Sequence, residues 1–228
     1  MSGPPVKVPG RIAYRYIVRS YPPGEVHPIM SISIPVSRTF ALEARREPSL
    51  VARRAAGIAL WGLLTALSAQ IALPIPGTPV PITLQTLAVT LAPFALGPWL
   101  GAGSMALYVG LGLIGLPVFA AASGGLTSGY LAGFIAAQPV MGLILGQRAA
   151  REPSLWRAAA AIIAGNIVIF VLGVAWLRIA MGGLTPGFSW EQAMAMGLVP
   201  FIPGSIVKIG LAMALARDVV LAARRLGG

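Results

Sequence analysis

The run "PFIPGSIVK", residues 200–208, sets one charge, Lys208, into an otherwise apolar helix-forming stretch. An ammonium in apolar surroundings costs about 2.5–3.5 kcal/mol at mid-bilayer on insertion scales. It therefore calls for a partner or for a way out to water. Ser205 opens the expected helix, where its hydroxyl can accept a backbone N–H as an N-cap. A helix N-terminus also favours anions, and Lys208 lies one turn later on the same face. Two readings follow. Ser205 and Lys208 form a positive site for an anionic ligand, or Lys208 snorkels to the nearby surface. Residues 55–146 contain no Lys, Arg, Asp, Glu or His, so helices built from them supply no carboxylate counter-ion. A ligand carboxylate, or polar groups alone, must then do the pairing.

Polar groups of that kind are present. Thr83, Thr86 and Thr90 share a helical face, with Gln85 beside them. Ser104 and Tyr108 stand at i, i+4, Tyr130 and Gln138 lie on a fourth helix, and Asn166 on a fifth. Each also has a structural role open to it. Membrane threonines bond their own helix carbonyls, and Gln85 and Asn166 can join helices together. With one His, six acidic residues and no Cys, the chain lacks the material for metal, thiol or acid–base catalysis, and no catalytic or metal-binding residue is expected.

The elements that must hold these groups are set by composition. The 228 residues are 57% hydrophobic and 10% charged, against about 25% charged in soluble domains. A stretch of about 20 apolar residues crosses a bilayer. Apolar runs predict helices at roughly 55–73, 82–96, 99–115, 130–147, 157–181 and 204–222. The expected fold is an all-α integral membrane protein with six transmembrane helices and a polar N-terminal extension. A capping-box spacing at Ser189 and Gln192 predicts a short surface helix before Pro200. Loops 1–2, 3–4 and 5–6 would then roof a cavity of the kind that binds small molecules.

The net charge of +11 does not point to nucleic acid, because of where it sits. Nine of the seventeen Lys and Arg precede Ala55, and most of the others mark helix ends, such as Arg148, Arg151, Arg157, Arg217, Arg224 and Arg225. This positive-inside pattern puts both termini in the cytoplasm, beside anionic headgroups of the lipid bilayer. Arg178, near the outer end of helix 5, departs from it mildly. Residues 1–54 are rich in Pro and Arg and are expected to form a disordered or partly ordered cytoplasmic extension without a signal peptide, with Met30 as an alternative start. Residues 55–228 form the membrane domain. "REPSL" occurs at 46–50 and 151–155, each copy before an odd-numbered helix, without a tandem repeat around it. On helix 1, Ala55, Ala59, Gly62, Ala66 and Ala69 make one small-residue stripe. It can pack against the chain's own bundle or dock a partner membrane protein.

Six segments, "PVPITLQTL" (79–87), "GLPVFA" (115–120), "GYLAGFIAA" (129–137), "GN" (165–166), "WL" (176–177) and "PFIPGSIVK" (200–208), resemble in type and order the BioY family, the biotin-binding S components of energy-coupling-factor (ECF) transporters. The resemblance covers about 55–222. It implies a six-helix plasma-membrane protein that binds biotin near the outer face, with no cofactor. It also implies a transmembrane coupling subunit docked on the helix 1 stripe and two cytoplasmic ATPases. It places the positions of Ser205 and Lys208 in the ligand site, and with the polar groups above the candidate ligand residues are Lys208, Ser205, Asn166, Gln85, Thr83, Tyr108 and Tyr130. The family motif reads Pro-Gly-Asp-x-x-Lys, whereas Ser205 occupies the Asp position in this chain. The leading expectation is a biotin-uptake subunit. An S component for another carboxylated vitamin, and a non-transporting membrane scaffold, are the alternatives.

Overall fold

The computed structural model describes residues 36–120, 125–149 and 154–227. Residues 1–35, and with them most of the expected extension, lie outside the described residues. The backbone divides into two units, 1–42 and 43–228. Of the first, only the opening turns of helix α1 (Val36–Gln70) are described. Everything below concerns the second.

Seven α-helices occur among the described residues. After α1 come α2 (Gln85–Leu96), α3 (Pro98–Leu113), α4 (Ser128–Ala149), α5 (Leu155–Leu184), α6 (Trp190–Gly197) and α7 (Ile202–Gly227). Six of them follow the expected order, and α6 is the short surface helix. Its capping box forms: the Gln192 N–H donates to Ser189 Oγ at 3.2 Å, and the Ser189 N–H to Gln192 Oε1 at 2.7 Å. Four segments are long and apolar enough to cross a membrane: Leu50–Gln70, Ser128–Gly146, Leu155–Leu184 and Trp190–Ala223. The chain is thus a mostly helical protein with the build of a membrane protein.

Three boundaries differ from expectation. Helix α1 begins at Val36, well before residue 55, because the polar Arg-rich stretch before Ala55 continues the same helix. Helix α2 begins at Gln85, since Ile82–Thr83 instead pairs antiparallel with Ala72–Leu73. Pro79 and Pro81 lack the N–H a helix start would use and bias the residues before them toward extended backbone. Thr83 is therefore a strand residue, and only Thr86 and Thr90 share the helical face. Helix α7 begins at Ile202, directly after a 3-10 turn at Val199–Phe201. Pro203, lacking an N–H, fits the first turn, so Ser205 lies inside the helix and is not its N-cap.

The bundle is drawn together at glycines. Helices α4 and α5 approach so closely that a Cβ at Gly133 would stand 2.8 Å from Ile169 Cα, and one at Gly173 would enter the Tyr130 ring. Gly165 makes similar room for Met141, and Gly129 for Trp176. Such contacts are what helices in lipid use in place of a hydrophobic drive. Gly97, at φ +78°, ends α2 and lets Pro98 start α3 at once. The helix 1 stripe is divided. Gly62, Ala66 and Ala69 are buried in the chain's own bundle, with Gly62 against Ser104 and Leu107 of α3, while Ala55 and Ala59 are exposed. The opposite face of α1, with Leu60, Leu63 and Leu67, is exposed.

Candidate functional site

Three segments roof one end of the bundle, the 72–83 hairpin, the 3–4 loop and α6, and Glu191 of α6 is the one charge among their described residues. Polar side chains fasten them. Thr78 Oγ1 donates to the Met196 carbonyl at 2.7 Å, and Tyr130 OH to the Gly197 carbonyl at 2.7 Å. Trp176 Nε1 donates to the Gly125 carbonyl at 2.9 Å. Gln70 Nε2 reaches the Pro117 carbonyl at 3.4 Å.

Beneath this roof lies a cavity of about 630 Å³, its mouth included, lined by the hairpin, the 3–4 loop and helices α2 to α5 and α7. Its walls are mostly apolar and aromatic, with Phe119, Phe134, Phe170 and Phe201 among them. Lys208 is the only charged group among its described lining residues. The Lys208 ammonium does not snorkel. It turns inward and donates to Thr86 Oγ1 at 2.7 Å and to the Thr83 carbonyl at 3.0 Å. An ammonium has three N–H donors, so these two bonds leave one for a ligand.

A chain of hydrogen bonds runs along the same wall. Thr83 Oγ1 donates to Gln85 Oε1 at 3.0 Å, Gln85 Nε2 donates to Tyr108 OH, and Tyr108 OH donates to the Val118 carbonyl at 3.3 Å. Gln85 and Tyr108 are buried, and bonding one another satisfies groups that would otherwise be costly in this setting. Phe119 meets Tyr108 edge-on, ring centroids 5.5 Å apart. The result is an apolar chamber with one cation, one amide and two phenols, suited to an apolar molecule bearing an anionic end and an amide-like end.

A second recess, about 1180 Å³ with its open side included, lies between α5, α6 and α7. Asn166 and Ser205 line this recess and not the chamber. Asn166 Nδ2 donates to the Ile162 carbonyl of its own helix at 2.9 Å. Thus Lys208 and Ser205 do not share one site. At 3.6 residues per turn, positions three apart point about 60° from each other, and here that angle separates two cavities.

A sequence model of the BioY family matches residues 39–225. The chain belongs to the BioY family. It is 37% identical over 161 residues to "Probable biotin transporter BioY" of Pyrococcus horikoshii, covering 70% of this chain and 91% of that one. It is 39% identical over 170 residues to "Biotin transporter BioY" of Rhodobacter capsulatus, covering 69% and 87%. A solved structure described as the S-component for biotin from an ECF-type ABC transporter shares the fold, with a TM-score of 0.66 at 22% identity over 75% of this chain and 92% of that one.

In this BioY-family chain, five of the seven sequence-derived ligand candidates, Thr83, Gln85, Tyr108, Tyr130 and Lys208, converge on one chamber. Sequence reasoning missed the aromatic wall. Phe119 stands in the quoted "GLPVFA" and Phe201 in "PFIPGSIVK", but an aromatic in an apolar run carries no signal of its own. Phe170 lay in no motif.

Proposed function

We infer that this chain is the biotin-binding membrane subunit of a biotin-uptake system and not an enzyme. The observation that carries the reading is the inward-turned Lys208 in a roofed chamber whose described lining residues include no carboxylate. Biotin is an apolar bicycle and chain ending in a carboxylate, with a ureido group at the other end. Lys208 supplies the charge for the carboxylate, with Thr83 beside it, while Gln85, Tyr108 and Tyr130 offer amide and hydroxyl partners to the ureido end. Family membership and the biotin-transporter relatives favour biotin over another carboxylated vitamin and over a scaffold.

The finer reading extends to topology and partners. Six helices span the plasma membrane with both termini in the cytoplasm, as the Arg placement favours. The chamber then faces outward. A transmembrane coupling subunit and two ATPases of an ECF module draw the ligand inward, the coupling subunit docking where α1 leaves Ala55 and Ala59 exposed. Ser205 and Asn166 act from the neighbouring recess, outside direct reach of a ligand in the chamber.

Titration calorimetry of the purified chain with biotin tests this. Saturable one-to-one binding, unaffected by other carboxylated vitamins in excess, is expected. Binding of another vitamin in preference to biotin would overturn the substrate, and binding of none would favour the scaffold.

A further inference from the structure

Among the described residues, the ligand chamber and the recess between α5, α6 and α7 share a single wall residue, Phe170. The recess is apolar apart from Asn166 and Ser205, and Ile167, Val171 and Ile206 on its rim are each more than half exposed. These belong to the two longest apolar segments of the chain, so the recess opens toward lipid. The Lys208 ammonium shares the chamber with Phe170, and on the recess side the ring faces the surface that acyl chains would cover in a bilayer. Bilayers contain single-chain carboxylates whose head group matches the charge at Lys208 as well as a vitamin carboxylate does.

We propose that Phe170 is a specificity-determining partition that keeps fatty-acid-like amphiphiles of the bilayer out of the Lys208 chamber. Two neighbouring rings hold the Phe170 ring in place. Tyr130 packs edge-on against it at a centroid distance of 6.3 Å and 89°, and Phe201 packs tilted at 6.3 Å. Both distances fall in the range where aromatic pairs attract. Tyr130 is itself anchored to the Gly197 carbonyl, which ties the partition to the roof. The half-buried ring therefore stands as a plug between two supports. Shrinking it joins the two cavities and gives a long alkyl chain a path from lipid to Lys208. A chamber closed by Phe170 accepts only a ligand that ends within it.

The proposal has two readouts. The chain has no cysteine, so Ile169→Cys reports unambiguously on the chamber side. Ile169 lines the chamber but not the recess and is 1% exposed. In proteoliposomes, a membrane-partitioning N-alkylmaleimide should label Ile169→Cys at least ten-fold faster when Phe170→Ala is added, and no faster with Phe170→Trp. Equal rates with Phe170→Ala, in protein that stays monodisperse and helical, would overturn the partition without reference to any ligand. The second readout rests on the biotin reading. Dodecanoate should displace biotin at least ten-fold more effectively from Phe170→Ala than from the unchanged chain, a size of effect hydrophobic walls produce. Equal displacement where both proteins bind biotin would also overturn the proposal. Absence of biotin binding in the unchanged chain would overturn the function reading alone, and the labelling rates would still decide the partition.

Discussion

The Lys208 ammonium donates to Thr86 Oγ1 at 2.7 Å, a contact that joins α7 to α2 across the chamber wall. It holds the cation at the site while leaving a donor for a ligand. Removing one partner of a charge-assisted bond costs about 1.5–3 kcal/mol. Thr86→Val should therefore weaken biotin binding roughly ten- to a hundred-fold, and Thr86→Ser should retain most of it. Calorimetry on the two variants checks this. Equal affinities for Val and Ser would show that the hydroxyl does not position the ammonium.

The Gln85–Tyr108 pair makes a prediction about stability. Tyr108→Phe strands the Gln85 amide and should cost about 1–3 kcal/mol, because a buried donor loses its partner. Adding Gln85→Met removes both partners of that bond and should recover part of the loss, the remainder reflecting the acceptor the Thr83 hydroxyl then lacks. Thermal unfolding of the singles and the double in detergent measures the coupling. Strict additivity would mean the two groups do not depend on each other.

Glycines offer a contrast within one bundle. Gly133→Ala drives a Cβ toward the Ile169 backbone, which cannot give way as a side-chain tip can. It should destabilise by about 1–3 kcal/mol, the usual cost of overpacking. Gly110→Ala, in the last turn of α3, meets nothing within 4 Å. It should be neutral or stabilise by up to about 1 kcal/mol through helix propensity. Reversed signs in the melting temperatures would contradict the close α4–α5 packing.

Ser205 lines the outer recess and not the chamber. Ser205→Asp should therefore change biotin affinity less than about three-fold, while its carboxylate in an apolar recess lowers stability by about 1–3 kcal/mol. Strong tightening of binding would bring residue 205 into contact with the ligand and redraw the site.

What the sequence disclosed follows from physics that is local or compositional. The charge-free run from Ala55 to Gly146 implied a bilayer fold, and Ser189 with Gln192 marked α6, since a capping box is read over four residues. The lone Lys208 marked the chamber, because an isolated charge in apolar sequence stands out. The facing of side chains was not legible. Whether Ser205 and Lys208 meet depended on a 60° difference about α7 and on which helices flank it. The start of α2 turned on a two-residue strand pairing between Ala72–Leu73 and Ile82–Thr83, a tertiary contact that local propensity does not encode. The half-burial of the α1 stripe likewise depends on where α3 packs, at Ser104 and Leu107.

The central claim is that Lys208, turned into the chamber, captures the carboxylate of biotin. Titration of biotin into the Lys208→Met variant tests it most directly, since methionine keeps most of the apolar stem and removes the ammonium. The account predicts at least a ten- to hundred-fold loss of affinity in a protein that still inserts and stays folded. Affinity equal to that of the unchanged chain would contradict it.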